Sequence, residues 1–317
     1  MNINHGDKLN RRNLLLGSTG LLVGLSGCQS KSPKAATIHR SNSVLKRFPA
    51  LKKYIDSLCP IPEGTFLMGT KNQKRDDEYP EHRVNVSSFH MGKTPVTVSM
   101  WEEYCKHSNV LMPPTPSPTF NYVPRFNIGW ADKDHPIVNI SWIDCQRFAY
   151  WASKFSDLKL TLPSEAQWEY ACRGGKEGLD YPWGNDFDKS KLWCSKYKLG
   201  DKGSTGSVTR TTNIWLDHPW HLIDMIGNVE EWCQDWYDDN WYRNPQSIQA
   251  DPINHNSSYL ITLEYPEKPT ADLPVRSVRS GSWADDEADE FRISKRYWSE
   301  PTDTSVTTGF RLVASME

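Results

Sequence analysis

Alternation of polar and apolar residues marks Arg83-Val84-Asn85-Val86 as a half-buried strand, and the apolar run Phe66-Leu67-Met68 is a second strand candidate. The period then changes. Behind Ser141, apolar Ile143, Phe148, Ala149, Trp151, Ala152 and Phe155 recur at helical spacing, which predicts a helix over 142–155. A second helix, Glu165 to Arg173, is marked at both ends. Ser164-Glu165-Ala166-Gln167 is a capping box, in which the Ser hydroxyl accepts an amide proton of the first turn and Gln reaches back. Pro163 precedes this cap and Gly174-Gly175 follows the last turn. Beyond it regular signals thin out. Tyr181 to Leu222 carries turn residues with little periodicity, and Asn240 to Pro274 reads as an insertion.

Composition narrows the class. The 317 residues are 37% apolar with 19 Gly, slightly below the usual globular level and far from a polytopic membrane protein. A formal net charge of -2 leaves no global basic field for phosphates, so no nucleic-acid partner is expected. Fourteen Trp and 21 Pro suit a loop-rich globule packed with aromatics. Motifs run nearly end to end, so one large domain is expected rather than two.

The first residues are set apart from the fold. Asn10-Arg11-Arg12-Asn13 precedes an apolar stretch that ends at Leu25-Ser26-Gly27-Cys28. This resembles a bacterial twin-arginine export signal ending in a lipobox, and the apolar run is short against the about 20 residues of a membrane span. The resemblance implies a signal peptide over 1–27, cleavage before Cys28, and a lipid on its sulfur that anchors the chain in the cell envelope. Gln29 after that cysteine points to the outer membrane. Loss of Lys8, Arg11, Arg12 and Asp7 with the signal leaves the chain two charges more negative. Residues 28–59 are expected to form a lipidated tether and linker, and 60–317 the folded domain.

Six cysteines remain: Cys59, Cys105, Cys145, Cys172, Cys194 and Cys233. An oxidising compartment permits disulfides, but no C-x-x-C spacing signals zinc or redox chemistry. Cys145 and Cys172 fall on apolar helix faces, where Cys usually behaves as a small buried residue. The pairing stays open.

From Phe66-Leu67-Met68-Gly69 onward, a series of longer motifs follows. Glu78-Tyr79-Pro80-Glu81-His82, Pro95-Val96-Thr97 and His135-Pro136-Ile137-Val138-Asn139-Ile140-Ser141-Trp142 come first. Leu162 to Gly175, Tyr181-Pro182-Trp183-Gly184-Asn185 and Asp224-Met225-Ile226-Gly227-Asn228-Val229-Glu230-Glu231-Trp232 continue the series. Arg279-Ser280-Gly281-Ser282-Trp283 and Gly309-Phe310-Arg311-Leu312-Val313 close it. In this order, over roughly 60–315, the chain resembles the formylglycine-generating enzyme, or sulfatase-modifying factor, family. The resemblance implies an α+β, C-type lectin-like single domain with low regular secondary structure.

Active members of that family oxidise a sulfatase cysteine with O2 and Cu(I) held by two thiolates five residues apart. Counted from Ser282, those positions fall on Asp285 and Glu290. A carboxylate pair is hard and a poor Cu(I) ligand, so no copper and no formylglycine-generating oxidase activity are expected. The run Asp285 to Glu290 is expected instead to give the cleft a negative lining, with Ser282, Trp283, Asp285, Glu290, Arg292 and Arg296 as candidate cleft residues. Three readings follow. In the first, the cleft binds a polar ligand, peptide or protein. In the second, Asp285 or Glu290 is the general base or hard-metal ligand of a non-copper enzyme modifying a periplasmic peptide or small molecule. Family members without the cysteine pair, including those in pyoverdine maturation, favour this by analogy. The third is a retroelement-diversified lectin-fold binder, whose variable residues would lie between Ser282 and Gly309; the acidic character of this stretch is atypical of such regions. Arg292 and Arg296 are expected to pair with buried carboxylates or to contact substrate, and Trp283 and Trp298 to wall the cleft or fill core. Finally, the resemblance implies a calcium ion on Asp224, Gly227, Val229 and Glu231, two carboxylates and two backbone carbonyls of the kind calcium prefers.

Overall fold

The computed structural model describes residues 45–115, 127–195, 205–210, 212, 214–256 and 274–315. Cys28, the expected signal segment and part of the 240–274 excursion lie outside the described residues. Among the described residues four helices and ten short strands run in the order α1 (Pro49–Asp56), β1 (Cys59–Ile61), β2 (Gly64–Met68), β3 (His82–Val86), β4 (Phe89–Met91), α2 (Val98–Ser108), α3 (Trp142–Ser156), β5 (Leu160–Thr161), α4 (Glu165–Arg173), β6 (Glu230–Trp236), β7 (Arg276–Arg279), β8 (Arg296–Ser299), β9 (Thr308–Gly309) and β10 (Val313–Ser315). Short helical turns and irregular loops connect them. No helix among the described residues is long and apolar enough to cross a membrane.

The expected capping box is present on α4: Gln167 N donates to Ser164 Oγ at 3.1 Å, and Ser164 N to Gln167 Oε1 at 3.0 Å. Gly174 ends the helix in the left-handed region, φ 57°, where its lack of a Cβ removes the strain. Helix α3 carries a matching box from Ser141 and Asp144. The two strands read from alternation pair with each other as β2 and β3, with Phe66 opposite Val84 and both side chains buried.

Two larger sheets flank this hairpin. One has the order β1-β4-β10-β5, and the other β8-β7-β6-β9, in which β6 and β9 run parallel and the remaining pairs antiparallel. An aromatic core lies between α1, α2 and α3, where Trp101 stacks on Phe148 at 5.2 Å and Phe310 meets both edge-on. A second core lies under β1–β4 and α4 and holds Trp168, Met225, Phe291 and Ile293.

The expected linker over 28–59 is corrected at its C-terminal end. Leu45, Phe48, Leu51, Tyr54 and Ile55 are buried in the aromatic core, so the domain already includes α1. Leu51, Tyr54 and Ile55 recur at helical spacing and form the buried stripe. Glu103 of α2 then caps α1, taking the amide protons of Ala50 at 2.8 Å and Leu51 at 3.0 Å.

Candidate functional site: an acidic cluster beside a buried arginine network

Strand β7 leads into the turn Ser280-Gly281-Ser282-Trp283, a loop of acidic residues, the short turn Ala288–Phe291 and then β8. Gly281 is required there because a Cβ would sit 2.8 Å from the Phe291 ring. The loop is tied down at its start. Ser282 donates to Asp285 Oδ2 from both N and Oγ at 2.8 Å, and Ser195 N donates to the Asp285 carbonyl at 2.8 Å. At its far end Tyr297 donates its hydroxyl proton to the Glu290 carboxylate, and Lys295 stands 3.7 Å from the same group.

A third carboxylate, Glu230, joins these two. It begins β6, which pairs with β9, and its Oε2 accepts from Thr308 Oγ1 at 2.7 Å and Thr307 Oγ1 at 3.1 Å. Burial pushes Glu230 up to about 7 against those two hydrogen bonds, with the negative charges of Asp285 and Glu290 adding to the rise. Burial also raises Asp285, with Glu290 and Asp286 contributing repulsion. Burial and the Glu290 charge raise the Tyr297 phenol. Among the described residues neither Glu230 nor Asp285 has an ion-pair partner, so this acid cluster is only weakly neutralised. Sequence reasoning missed Glu230 and Tyr297. Glu230 lies inside the Gly-Asn-x-x-Glu-Trp motif, where Glu231 alone draws attention, and its nearness to Asp285 depends on sheet pairing.

Of the other expected cleft residues, Ser282 and Trp283 are corrected, while Arg292 and Arg296 form the expected pairs with buried carboxylates. Trp283 is core: its side chain is 1% exposed and its Nε1 donates to the Val306 carbonyl at 3.0 Å. Ser282 is buried and serves the loop rather than an open surface. Arg292 grips Glu78 with both terminal nitrogens and Asp289 with Nε at 2.9 Å. Arg296 binds Glu165 through Nε at 2.7 Å and Nη2 at 2.9 Å, and lies over the Tyr237 and Tyr242 rings. Both guanidinium groups are therefore spent on buried carboxylates, the expected alternative to substrate contact. Trp298, by contrast, is exposed.

The four residues expected to hold calcium do not fit that ion as arranged. Glu231 is wholly buried and accepts from Arg311 Nε and Nη2 at 2.7 to 3.0 Å and from Trp168 Nε1 at 2.9 Å. Asp224 is paired with both terminal nitrogens of Arg210 and accepts from Asn228 Nδ2 at 2.8 Å. Each carboxylate thus has a cation already, and the Gly227 carbonyl accepts from Val229 N at 2.9 Å. Among the described residues no group of three or more His, Cys, Asp or Glu is placed to hold a metal. The cysteines from Cys59 to Cys233 are buried and joined by no disulfide, and burial raises the thiols of Cys59, Cys105, Cys145, Cys172 and Cys233.

Comparisons agree with the motif series. The chain is 29% identical to the serine/threonine-protein kinase pkn1 of Chlamydia pneumoniae over 292 residues, which is 85% of this chain but 42% of that protein. The chain thus spans about two fifths of that relative's length. It is 28% identical to the formylglycine-generating enzyme of Thermomonospora curvata, over 81% of this chain and 93% of that enzyme. The structure of PvdO from Pseudomonas aeruginosa matches with a TM-score of 0.62 at 21% identity, covering 82% of this chain and 94% of that one, which supports the C-type lectin-like α+β fold. Residues 45–316 match the sulfatase-modifying factor enzyme 1-like domain, and the chain belongs to that family.

Proposed function

We propose that this protein is an exported lipoprotein, held in the bacterial envelope through a lipid on Cys28, whose domain binds a cationic group at Glu230, Asp285 and Glu290. The lipobox-like Leu25-Ser26-Gly27-Cys28 and the Gln29 that follows support anchoring at the outer membrane. Binding of a cation rests on one observation: the charges of Asp285 and Glu290 both act on Glu230, among the described residues Lys295 is the one ammonium paired with this group, and the repulsion is relieved when a positive ligand enters. An amine or guanidinium is the chemistry that fits. A hard acid site of this kind does not replace two thiolates for Cu(I), so oxidation of a sulfatase cysteine is not part of this reading.

A second reading, a non-copper enzyme, draws on Glu230 alone. A carboxyl that titrates at about 7 and lies half-buried beside a phenol has the properties of a general base. Calorimetric titration with agmatine tests the leading reading. Binding is expected to tighten as pH rises through 7 and to weaken at least about tenfold in Glu230→Gln. Equal affinity for a neutral analogue of the same shape would overturn it.

A further inference from the structure

A cavity of the opposite chemistry lies beside helix α1. Helix α1, the segment after β4 and the start of α2 enclose a cavity of about 360 Å³, within the range of small-molecule sites. Its walls are apolar where Ala50, Tyr54, Met100, Val208 and Ile223 contribute. Two cations, Lys53 and Lys93, line it as well, and neither ammonium has a hydrogen-bond or ion-pair partner among the described residues. The one acid of the lining, Asp134, lies within ion-pair distance of neither. Thr97 and Ser99 add two hydroxyls, bonded to each other at 2.9 Å and able to turn a proton or lone pair toward a guest.

The cavity is built rather than incidental. Tyr54 is fixed by the Leu312 amide, which donates to its hydroxyl at 3.0 Å, and the backbone at Lys93 is fixed by Ile223 N, which donates to its carbonyl at 2.8 Å. Apolar walls recognise a hydrocarbon body, and two unpaired ammonium groups recognise a negative head. We infer that this cavity binds a small amphipathic anion, an acyl chain ending in a carboxylate, independently of the acid cluster at Glu230.

Octanoate is the probe, with octylammonium as its charge-reversed counterpart, each titrated into the full chain by calorimetry. Octanoate is expected to bind saturably with one equivalent, and octylammonium at least about tenfold more weakly. Affinity for octanoate should fall about tenfold in Lys53→Ala/Lys93→Ala and vanish in Thr209→Trp, which places a bulky ring at the exposed edge of the cavity, while Glu230→Gln leaves it unchanged. These substitutions change only exposed or half-buried side chains, so folded variants are expected by near-UV circular dichroism. Absence of saturable binding, equal binding of octylammonium, or wild-type affinity in either cavity variant would overturn the assignment. Loss of octanoate binding in Glu230→Gln would overturn it too, by moving the anion away from this cavity.

Discussion

Arg279 bridges two carboxylates of one helix, placing one terminal nitrogen 2.9 Å from Glu165 and the other 2.6 Å from Glu169. Arg296 meets Glu165 from β8, and Arg173 meets Glu169 at 2.6 Å from one turn further along α4. All five side chains are buried. Against the upward push of burial, Arg296 and Arg279 hold Glu165 at about 2, well below its ordinary 4.5. The native state therefore binds this proton more weakly than the unfolded chain. Its pairing contribution is present at neutral pH and is lost as pH falls from about 4.5 toward 2.

Removing one member leaves its partners charged and dry. Arg279→Met is expected to cost about 3–5 kcal/mol in urea unfolding at pH 7. A loss below about 1 kcal/mol would show that Glu165 and Glu169 are neutralised by Arg296 and Arg173 alone.

Glu231 and Asp224 give a prediction about calcium. With Arg311 and Arg210 already on these carboxylates, calcium is expected to leave the melting temperature within about 1 °C of its value in chelator. Glu231→Gln should destabilise equally in both buffers, because it strands the buried Arg311. A calcium-dependent rise that disappears in Glu231→Gln would return the ion to this site.

Copper chemistry has its own test. Protein mixed with Cu(I), O2 and a sulfatase-motif peptide is expected to form no aldehyde by mass spectrometry, because carboxylates stand at 285 and 290. An aldehyde product would mean that buried thiols such as Cys172 or Cys233 rearrange to take the metal.

Glu230 predicts a pH slope. Its folded value, about 7, lies above the ordinary 4.5, so between these limits the native state keeps a proton that the unfolded chain has released. Stability from this group is full below about 4.5 and falls as pH rises through 7. Glu230→Gln should flatten that part of the stability curve and gain about 1 kcal/mol at pH 8, a figure reduced for partial exposure. Equal slopes for the two proteins in urea titrations at several pH values would refute this.

Local signals were legible in the sequence where the physics is local. The Ser164 capping box, the Gly174 stop and the β2 and β3 strands all stand where the pattern puts them, and α3 differs from expectation by one residue at its end. Helix α1 was not legible because its cap, Glu103, is supplied by another helix and its eight residues follow a polar Ser- and Lys-containing stretch. Helix α2 was also missed: Thr97 makes no side-chain cap bond, and its hydroxyl is shared with Ser99 instead. At the site, residue types alone identified Asp285 and Glu290. They could not place Glu230 beside them, since that requires the pairing of β6 with β7 and β9. Nor could they tell an arginine that faces a ligand from one that faces Glu78, 214 positions away.

Tyr54 links helix α1 to the residue just before β10 through the amide of Leu312, and so the two ends of the described residues share one keystone. A deletion that strips α1 and a deletion that strips β10 would expose the same aromatic interior. Removing α1 or β10 to make a smaller scaffold is thus a cut into the centre of the molecule, and a fusion partner attached through a flexible spacer respects the architecture better than one spliced at Leu45 or Ser315.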